Sequence, residues 1–221
     1  MKTKFFLILF AVITILELFF GSFEDYTYLH YFTKPAIVIS LLVFFLSNSK
    51  HLTSSLKLIT ILALLFSLSG DVLLMFVTSS ETFFIAGLVS FLLAHIMYIL
   101  VFLRNRNTKM NNFPFIALLL VYATGLFWLI KDGLGDLLIP VLVYMAVILT
   151  MATTAFLRKE MVLHVGYVYV FVGAIFFMLS DSLLAINKFH YTLPFSNLSI
   201  MSTYALAQLF IVLGIIKSYK N

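Results

Sequence analysis

The sequence predicts an all-α membrane protein with eight transmembrane helices, and three observations favour this fold class. Hydrophobic residues make up 63% of the 221 residues and charged residues 10%, whereas an average soluble domain is about 25% charged. Apolar runs long enough to cross a bilayer recur along the chain, separated by short polar segments. Lysine and arginine are concentrated in alternate segments. The whole chain, 1–221, is therefore predicted to form a single polytopic membrane domain.

Each predicted helix corresponds to one apolar run. The first run follows MKTK and lacks a small-residue cleavage site before ELFFGSFEDY, so it is interpreted as a retained helix rather than a signal peptide. The second run is the shortest and is predicted to tilt little or to span the membrane incompletely. The later runs follow at short intervals, with no segment that resembles an extramembrane domain. The predicted helices are 5–21, 35–48, 56–78, 82–103, 113–130, 135–157, 162–186 and 195–217.

The basic residues predict that both termini are cytoplasmic. With the N-terminus inside, eleven of the 14 lysines and arginines lie in inner segments, and only Lys34, Lys131 and Lys188 lie in outer ones. This asymmetry requires an even number of helices, and it accounts for the net charge of +5 without a nucleic-acid partner. The compact chain suggests the cytoplasmic membrane of a bacterium. The inner residues are Lys2, Lys4, Lys50, Lys57, Arg104, Arg106, Lys109, Arg158, Lys159, Lys217 and Lys220.

Two stretches of the first half of the chain recur in the second half. SLSGDVLLM resembles FMLSDSLLA, which pairs Asp71 with Asp181. FLLAHIMYIL resembles YALAQLFIVL, which pairs His95 with Gln208. The order of the matched segments is preserved and their spacings differ by only a few residues. The similarity indicates an internal duplication, with chance similarity between apolar segments as the alternative.

The predicted duplication has a defined geometry. Each matched feature recurs four helices later, so the halves 1–110 and 111–221 insert in the same direction and form a parallel repeat. KPAIVI and IPVLVY extend the match upstream. In such a repeat Asp71 and Asp181 face each other across a pseudo-twofold axis. Both aspartates fall past the midpoints of outward-running helices, so they are predicted to lie together in the outer half of the bilayer.

The polar residues within the predicted helices, and the two lysines near their outer ends, lie mostly at the same depth as the aspartates. Ionisable residues inside a membrane usually face the bundle interior and mark a functional path, so one polar cavity open to the outer side is the simplest arrangement. For single residues there are alternatives: Asp71 or Asp181 caps a helix break or pairs with Lys34 or Lys188, and His95 is a core histidine. The polar residues are Glu17, Lys34, Asp71, His95, Tyr144, Asp181, Lys188, Tyr204 and Gln208.

Two buried carboxylates suit acid–base chemistry. They do not easily ionise together in a low-dielectric site, so one becomes a proton donor while the other remains an acceptor. Such a pair suits acid-labile ether, acetal or epoxide bonds, and less obviously amide hydrolysis without an oxyanion hole. A zinc site would need three or more ligands, and the chain has no cysteine. No metal or other cofactor is therefore predicted.

Several segments, in order, resemble the YhhN family of membrane proteins. They are GDVLLM, AHIMY, TKPA, VYMAVILTMATTA, GAIFFMLSDSLLAINKF and YALAQLFI, and they extend from about Lys34 to Gln208. The characterised members of that family are lysoplasmalogenases, which hydrolyse the vinyl ether bond of lysoplasmalogens to a fatty aldehyde and a glycerophospho-alcohol. The resemblance implies the same activity here, with a lysophospholipid substrate. The motif positions it covers are Lys34, Asp71, His95, Tyr144, Asp181, Asn187, Lys188 and Gln208.

Vinyl ether cleavage suggests a role for each candidate residue. One aspartate is predicted to protonate the β-carbon and the other to stabilise the cation and orient water, with Asp181 as the acid because it is further in sequence from Lys34. His95 and Tyr144 are predicted to orient the aspartates or the water, and Lys34 and Lys188 to hold the lipid phosphate. The catalytic candidates are Asp71, Asp181, His95 and Tyr144. The substrate-binding candidates are Lys34, Asn187, Lys188, Tyr204 and Gln208.

Two other classes of protein compete with this interpretation. A proton-coupled transporter of lipids or small molecules also uses parallel repeats and midplane carboxylates. Against it, the polar residues cluster on one side, whereas an alternating-access path needs polar residues in both halves of the membrane. A structural or assembly protein explains neither the paired aspartates nor their shared depth. The sequence therefore favours an enzyme with the transporter as its alternative.

Overall fold

The structure, a computed structural model, describes residues 3–219 and contains eight long helices and no β-strand in that range. Each helix is long and apolar enough to cross a membrane, so the predicted eight-helix, multi-pass membrane fold is confirmed. Lys2 and Lys220, which belong to the predicted inner charges, lie outside the described residues. The helices are α1 (Thr3–Phe20), α2 (Thr27–Asn48), α3 (Ser54–Leu74), α4 (Glu81–Leu103), α5 (Phe113–Ile130), α6 (Leu138–Phe156), α7 (His164–Phe189) and α8 (Ser196–Lys217).

The two ends of the bundle differ in which connections they carry. The α1–α2, α3–α4, α5–α6 and α7–α8 connections lie at one end, which we call the outer end, as in the predicted topology. Thr3 and Tyr219 line one depression at the opposite end. The first and last described residues therefore lie on the same side, as an even number of crossings requires. The assignment of that side to the cytoplasm remains a prediction from the basic residues.

The prediction of a short second helix is wrong. α2 begins at Thr27 and has 22 residues, enough to span the membrane. The predicted second helix starts at Pro35, whereas Pro35 lies inside α2, where its missing N–H removes one backbone hydrogen bond. Lys34 is consequently part of a membrane-spanning helix rather than of a loop.

Two other helix boundaries affect the site. α3 ends at Leu74, four residues before its predicted end, so Asp71 lies in its last turn. α7 continues to Phe189, three residues beyond its predicted end, and its last turn therefore contains Asn187 and Lys188. Both shifts lie at the outer end of the bundle, where the polar residues are concentrated.

The most extensive helix contacts join α7 to α8 and α3 to α4. α7 and α8 approach to backbone contact because glycines line their interface: a Cβ on Gly214 would lie 2.6 Å from the Val170 nitrogen, and one on Gly173 would lie 2.8 Å from the Ile211 nitrogen. Small residues allow this close packing in a membrane, where helix association depends on van der Waals contact. α8 is the most buried helix, whereas α1 and α5 are the least buried.

The helix contacts follow the pattern that a parallel repeat requires. If each helix is renumbered four helices later, the α3–α4 contact corresponds to α7–α8, the α2–α3 contact to α6–α7, and the α2–α8 contact to α6–α4. Both members of each of these three pairs of contacts are present in the structure. The outermost helices differ, since α1 packs on α2 and α8 whereas α5 packs on α6 and α7. The duplication itself remains a prediction that this packing supports.

Candidate functional site

A polar cavity of about 260 Å³ lies at the outer end of the bundle, between α2, α3, α4, α7 and α8. Its wall includes both predicted carboxylates, Asp71 and Asp181, and both predicted phosphate-binding lysines, Lys34 and Lys188. These four residues come from three helices and are far apart in sequence. Their shared cavity agrees with the single outward-facing site that their depth predicts.

Asp71 lies in the last turn of α3 and is 2% exposed. The Tyr204 hydroxyl, from α8, donates a hydrogen bond to Asp71 Oδ2 at 2.7 Å. Behind Tyr204, Gln208 Nε2 donates to the tyrosine oxygen at 3.3 Å, and Tyr98 of α4 donates its hydroxyl to Gln208 Oε1 at 2.7 Å. Asp71 is therefore the end of a continuous hydrogen-bond chain through α8 and α4, which we call the Asp71 relay (Tyr98, Gln208, Tyr204 and Asp71).

Asp181 lies on α7 and has a different set of neighbours. The Tyr144 hydroxyl, from α6, donates to Asp181 Oδ2 at 2.6 Å. His95 of α4 places Nε2 3.6 Å from the same oxygen, outside hydrogen-bond range. Neither ring nitrogen of this buried histidine has a hydrogen-bond partner among residues 3–219. The structure thus places the predicted residues His95, Tyr144 and Asp181 together.

Aromatic rings separate the surroundings of the two carboxylates. Phe177 makes edge-to-face contacts with His95, beside Asp181, and with Tyr204, beside Asp71. Its ring centroid lies 4.5 Å from that of His95 and 5.5 Å from that of Tyr204. Phe91 packs 5.8 Å from the Tyr204 ring. Electrostatic interactions are strong in such an apolar setting because little solvent screens them. The two carboxyl groups therefore have different immediate neighbours, although they border one cavity.

A second, apolar pocket of about 50 Å³ adjoins the polar cavity. It is lined by α4, α5, α6 and α7 and by Leu74 of α3, and it shares Leu74, Phe84, Phe91, Asp181 and Leu184 with the polar cavity. Among the described residues, Asp181 is the carboxylate that borders both spaces, since Asp71 borders only the polar one. The site therefore offers a polar compartment and an apolar compartment with a carboxyl group at their junction.

The two lysines are not neutralised by the site's carboxylates. Within residues 3–219, no lysine nitrogen lies within 4.0 Å of an oxygen of Asp71 or Asp181, so the alternative in which a lysine pairs with either aspartate is not observed. Lys188 Nζ instead lies 4.9 Å from the centroid of the Phe84 ring. Both ammonium groups border the cavity and are available to an anionic ligand.

The remaining candidates occupy different positions. Asn187 lines the cavity, and its Oδ1 accepts a hydrogen bond from the Leu193 amide at 2.9 Å, which orders the α7–α8 connection. Gln208 is fully buried behind Tyr204 and is not part of the cavity wall. Glu17 is buried near α2, where it accepts a hydrogen bond from Thr33 Oγ1 at 2.6 Å. In the described part of the chain, no three His, Asp or Glu side chains are grouped to hold a metal.

Sequence reasoning missed Tyr98, and also Ser180, Ser196 and Asn197 of the cavity wall. Tyr98 is fully buried, and its hydroxyl is the first donor of the Asp71 relay. Tyrosine is common in membrane helices, so its identity alone is no signal. Its spacing is more informative, because it follows His95 by three residues in AHIMY and therefore lies on the same helix face.

Comparisons with known proteins give one family match and several named relatives. Residues 29–215 match the family model of the YhhN family. The chain is 30% identical to lysoplasmalogenase TMEM86A of Bos taurus over 166 residues, which cover 70% of this chain and 64% of that protein. It is 30% identical to lysoplasmalogenase TMEM86B of Homo sapiens over 158 residues, covering 71% of this chain and 62% of the relative. The matched region thus spans less than two thirds of these relatives. No solved structure matches the chain.

Proposed function

The chain belongs to the YhhN family, and from this premise we propose that it hydrolyses the vinyl ether bond of lysoplasmalogens to a fatty aldehyde and a glycerophospho-alcohol. The observation that supports this most directly is the position of Asp181 at the junction of a polar and an apolar compartment, with Asp71 on the same polar cavity. The names of the two curated relatives point to the same substrate class. The protein's partners are then the lysophospholipid and bilayer lipid, without nucleic acid, protein partner or cofactor.

The orientation of the substrate follows from the two compartments. The first carbons of the fatty chain lie in the apolar pocket and the glycerophosphate lies in the polar cavity, because apolar side chains then surround the hydrocarbon and polar side chains surround the phosphate. In a vinyl ether the β-carbon is on the chain side and the ether oxygen on the glycerol side. The β-carbon therefore lies beside Asp181, which makes Asp181 the acid and Asp71 the anionic partner.

The reaction proceeds in three balanced steps. Protonated Asp181 gives its proton to the β-carbon, and the ether becomes an oxocarbenium ion, which the Asp71 carboxylate stabilises. Water then adds to the carbon that bears the oxygen and gives a proton to Asp71, which forms a hemiacetal. In the last step Asp71 protonates the departing glycerol oxygen while Asp181 removes the hemiacetal hydroxyl proton. Aldehyde and alcohol leave, and both aspartates regain their starting states.

Tyr144 and His95 support Asp181 in this scheme. The Tyr144 hydrogen bond, 2.6 Å long, holds the Asp181 carboxyl group in one orientation. His95 lies 3.6 Å from the same oxygen and is enclosed by Phe177 and Tyr144 rings. It restricts the space beside the carboxyl group and positions it for proton transfer. Neither residue needs to exchange a proton with the substrate.

Purified protein supplied with a lysoplasmalogen in detergent is expected to release free aldehyde. In heavy water the aldehyde should contain one deuterium on the carbon next to the carbonyl, because that carbon is protonated by the enzyme. Absence of aldehyde, with lipid-dependent proton uptake into vesicles, would instead identify a proton-coupled transporter.

The predicted topology has the site on the outer side of the membrane, which we propose to be the cytoplasmic membrane of a bacterium. A lysoplasmalogen added outside intact spheroplasts should therefore be cleaved.

At the pH of maximal activity, removing the charge of Lys34 or Lys188 is expected to raise KM for a lysoplasmalogen about tenfold or more, with little change in kcat. Each substitution removes one charge-assisted contact between the protein and the lipid phosphate, and such contacts contribute about 1.5–3 kcal/mol. Steady-state kinetics of Lys34→Gln and Lys188→Gln test this. A phosphate-free 1-alkenylglycerol is the control, and its KM should not change. An equal rise in KM for both substrates would contradict phosphate recognition by these lysines.

A larger side chain at Ala185 is expected to lower kcat/KM for long-chain substrates about tenfold or more. Ala185 lines the apolar pocket of about 50 Å³, and the added ring of Ala185→Phe occupies the space assigned to the first carbons of the chain. A substrate with a chain of two or three carbons should lose much less activity. Ala123→Phe, on a buried position outside both compartments, is the packing control. Equal losses with long and short chains would contradict the chain-binding assignment.

A further inference from the structure

Given the activity proposed above, on which this inference rests, we infer that Tyr98 and Gln208 are positioning residues that act through Tyr204 to keep Asp71 ionised. Gln208 is thereby moved from the substrate-binding candidates to a support of the catalytic pair. Neither Tyr98 nor Gln208 reaches the cavity. Their effect on the reaction passes through the hydrogen bonds of the Asp71 relay.

The relay has a direction, which the chemistry of its groups determines. Tyr98 donates to Gln208 Oε1, so the amide oxygen faces Tyr98 and the amide NH₂ faces Tyr204. The Tyr204 oxygen accepts from that NH₂, and its own hydrogen is then directed at Asp71 Oδ2. A hydroxyl that donates to a carboxylate stabilises the charged form, and this interaction is strong in an apolar interior.

Tyr98 determines which way the amide points. If the amide were reversed, the fully buried Tyr98 hydroxyl would have no acceptor for its hydrogen, at a substantial desolvation cost. The amide oxygen would then face Tyr204 and compete with Asp71 for the Tyr204 hydrogen. The hydroxyl of Tyr98, three hydrogen bonds from Asp71, therefore selects the arrangement in which Asp71 is a carboxylate.

Asp181 has no comparable relay. Tyr144 donates to it, but no second hydrogen bond to the Tyr144 hydroxyl is present among the described residues, so that hydroxyl is free to turn and accept a proton from a neutral Asp181. In the predicted duplication Phe91 and His95 occupy the positions of Tyr204 and Gln208. The relay thus exists in one half only. This difference gives two equivalent aspartates unequal protonation, which the proposed reaction needs.

Other charged groups also act on Asp71 and set the baseline of any titration. Lys34 of α2 and Asp181 of α7 share the cavity with Asp71, and Glu17 of α1 is close enough to interact with it. Lys188 of α7 borders the same cavity, and α4 contributes only the uncharged Phe84 and Phe91 to the cavity wall. All of these groups are unchanged by substitution of Tyr98 or Gln208. A shift of the acid-side midpoint of activity in the Tyr98 or Gln208 variants therefore reports on the Asp71 relay.

The test compares pH profiles of kcat for the wild type, Tyr98→Phe, Gln208→Leu and Tyr122→Phe. Activity falls on the acid side where Asp71 takes up a proton. Without the relay the carboxylate is less stabilised and protonates at higher pH, so the acid-side midpoint should rise by about 0.5–1 unit in Tyr98→Phe and by at least as much in Gln208→Leu. Tyr122→Phe is the control. It removes a tyrosine hydrogen bond to Ser182 that is 2.7 Å long, as is the Tyr98–Gln208 bond, but that does not lead to Asp71. Its acid-side midpoint should not move.

Infrared spectroscopy measures the same protonation without catalysis. The carboxyl band of Asp71, assigned by its loss in Asp71→Asn, is titrated in each folded variant, and its midpoint should shift as the kinetic midpoint does. An unchanged midpoint in Tyr98→Phe, by either method, overturns the inference. If wild-type protein releases no aldehyde, the proposed function fails while the infrared titration still decides the role of the relay. Tyr98→Phe removes a single oxygen, so it serves as the test if Gln208→Leu does not fold.

Discussion

Asp181→Asn is expected to lower kcat for aldehyde release by about 10²–10⁴-fold, the contribution typical of a general acid. Asparagine has nearly the same size and still accepts the Tyr144 hydrogen bond, but its amide does not give a proton to carbon. Binding should change little, since Lys34, Lys188 and the apolar pocket remain. KM should therefore stay within a few-fold of the wild-type value. Steady-state kinetics with a lysoplasmalogen and an aldehyde-coupled assay provide the measurement.

Two further measurements separate this loss from unfolding or from a general charge effect. Asp132→Asn removes a carboxylate that is 88% exposed in the α5–α6 connection, and this control should retain wild-type activity. The pH profile of any residual Asp181→Asn activity should lack the fall on the alkaline side, because that fall reports loss of the proton from the acid. Wild-type activity in a correctly folded Asp181→Asn protein would exclude Asp181 as the donor.

The depth of polar residues along each helix proved informative from sequence alone. Asp71, Asp181, Lys34 and Lys188 were expected in one outer cavity because the membrane constrains each helix to cross once and ionisable groups avoid lipid. Those constraints determine the depth of each of these side chains along the membrane normal. The cavity wall contains all four residues, even though α2 begins at Thr27, eight residues before its predicted start.

Rotation of the helices and contacts between them were not predictable in the same way. The sequence does not show that Tyr204 reaches Asp71 or that Tyr144 reaches Asp181, because these contacts depend on how four helices pack. Gln208 illustrates the limit: it lies at the predicted depth, but one turn beyond Tyr204 on α8 it faces Tyr98 rather than the cavity. The close α7–α8 packing at Gly173 and Gly214 fixes that orientation.

Asp71→Asn is expected to cause a loss of similar size, about 10²–10⁴-fold in kcat, but with a different signature. The acid, Asp181, remains, so the β-carbon is still protonated, whereas the cation and the attacking water lose their anionic partner. The fall of activity on the acid side should disappear and the fall on the alkaline side should persist. These opposite pH profiles distinguish the two aspartates even if their losses in kcat are equal.

The double variant tests whether the two aspartates act as one unit. Residues that share a catalytic step are strongly non-additive, so Asp71→Asn with Asp181→Asn should be little worse than the poorer single variant. If each aspartate instead contributed independently, the two losses would multiply and the double variant would fall by their product. If the losses in kcat multiply, or if Asp71→Asn still loses activity on the acid side, proton transfer at this cavity does not depend on one protonated and one ionised aspartate. A site that protonates a vinyl ether and also captures the cation requires both members in opposite states, which the one-sided relay behind Asp71 supplies.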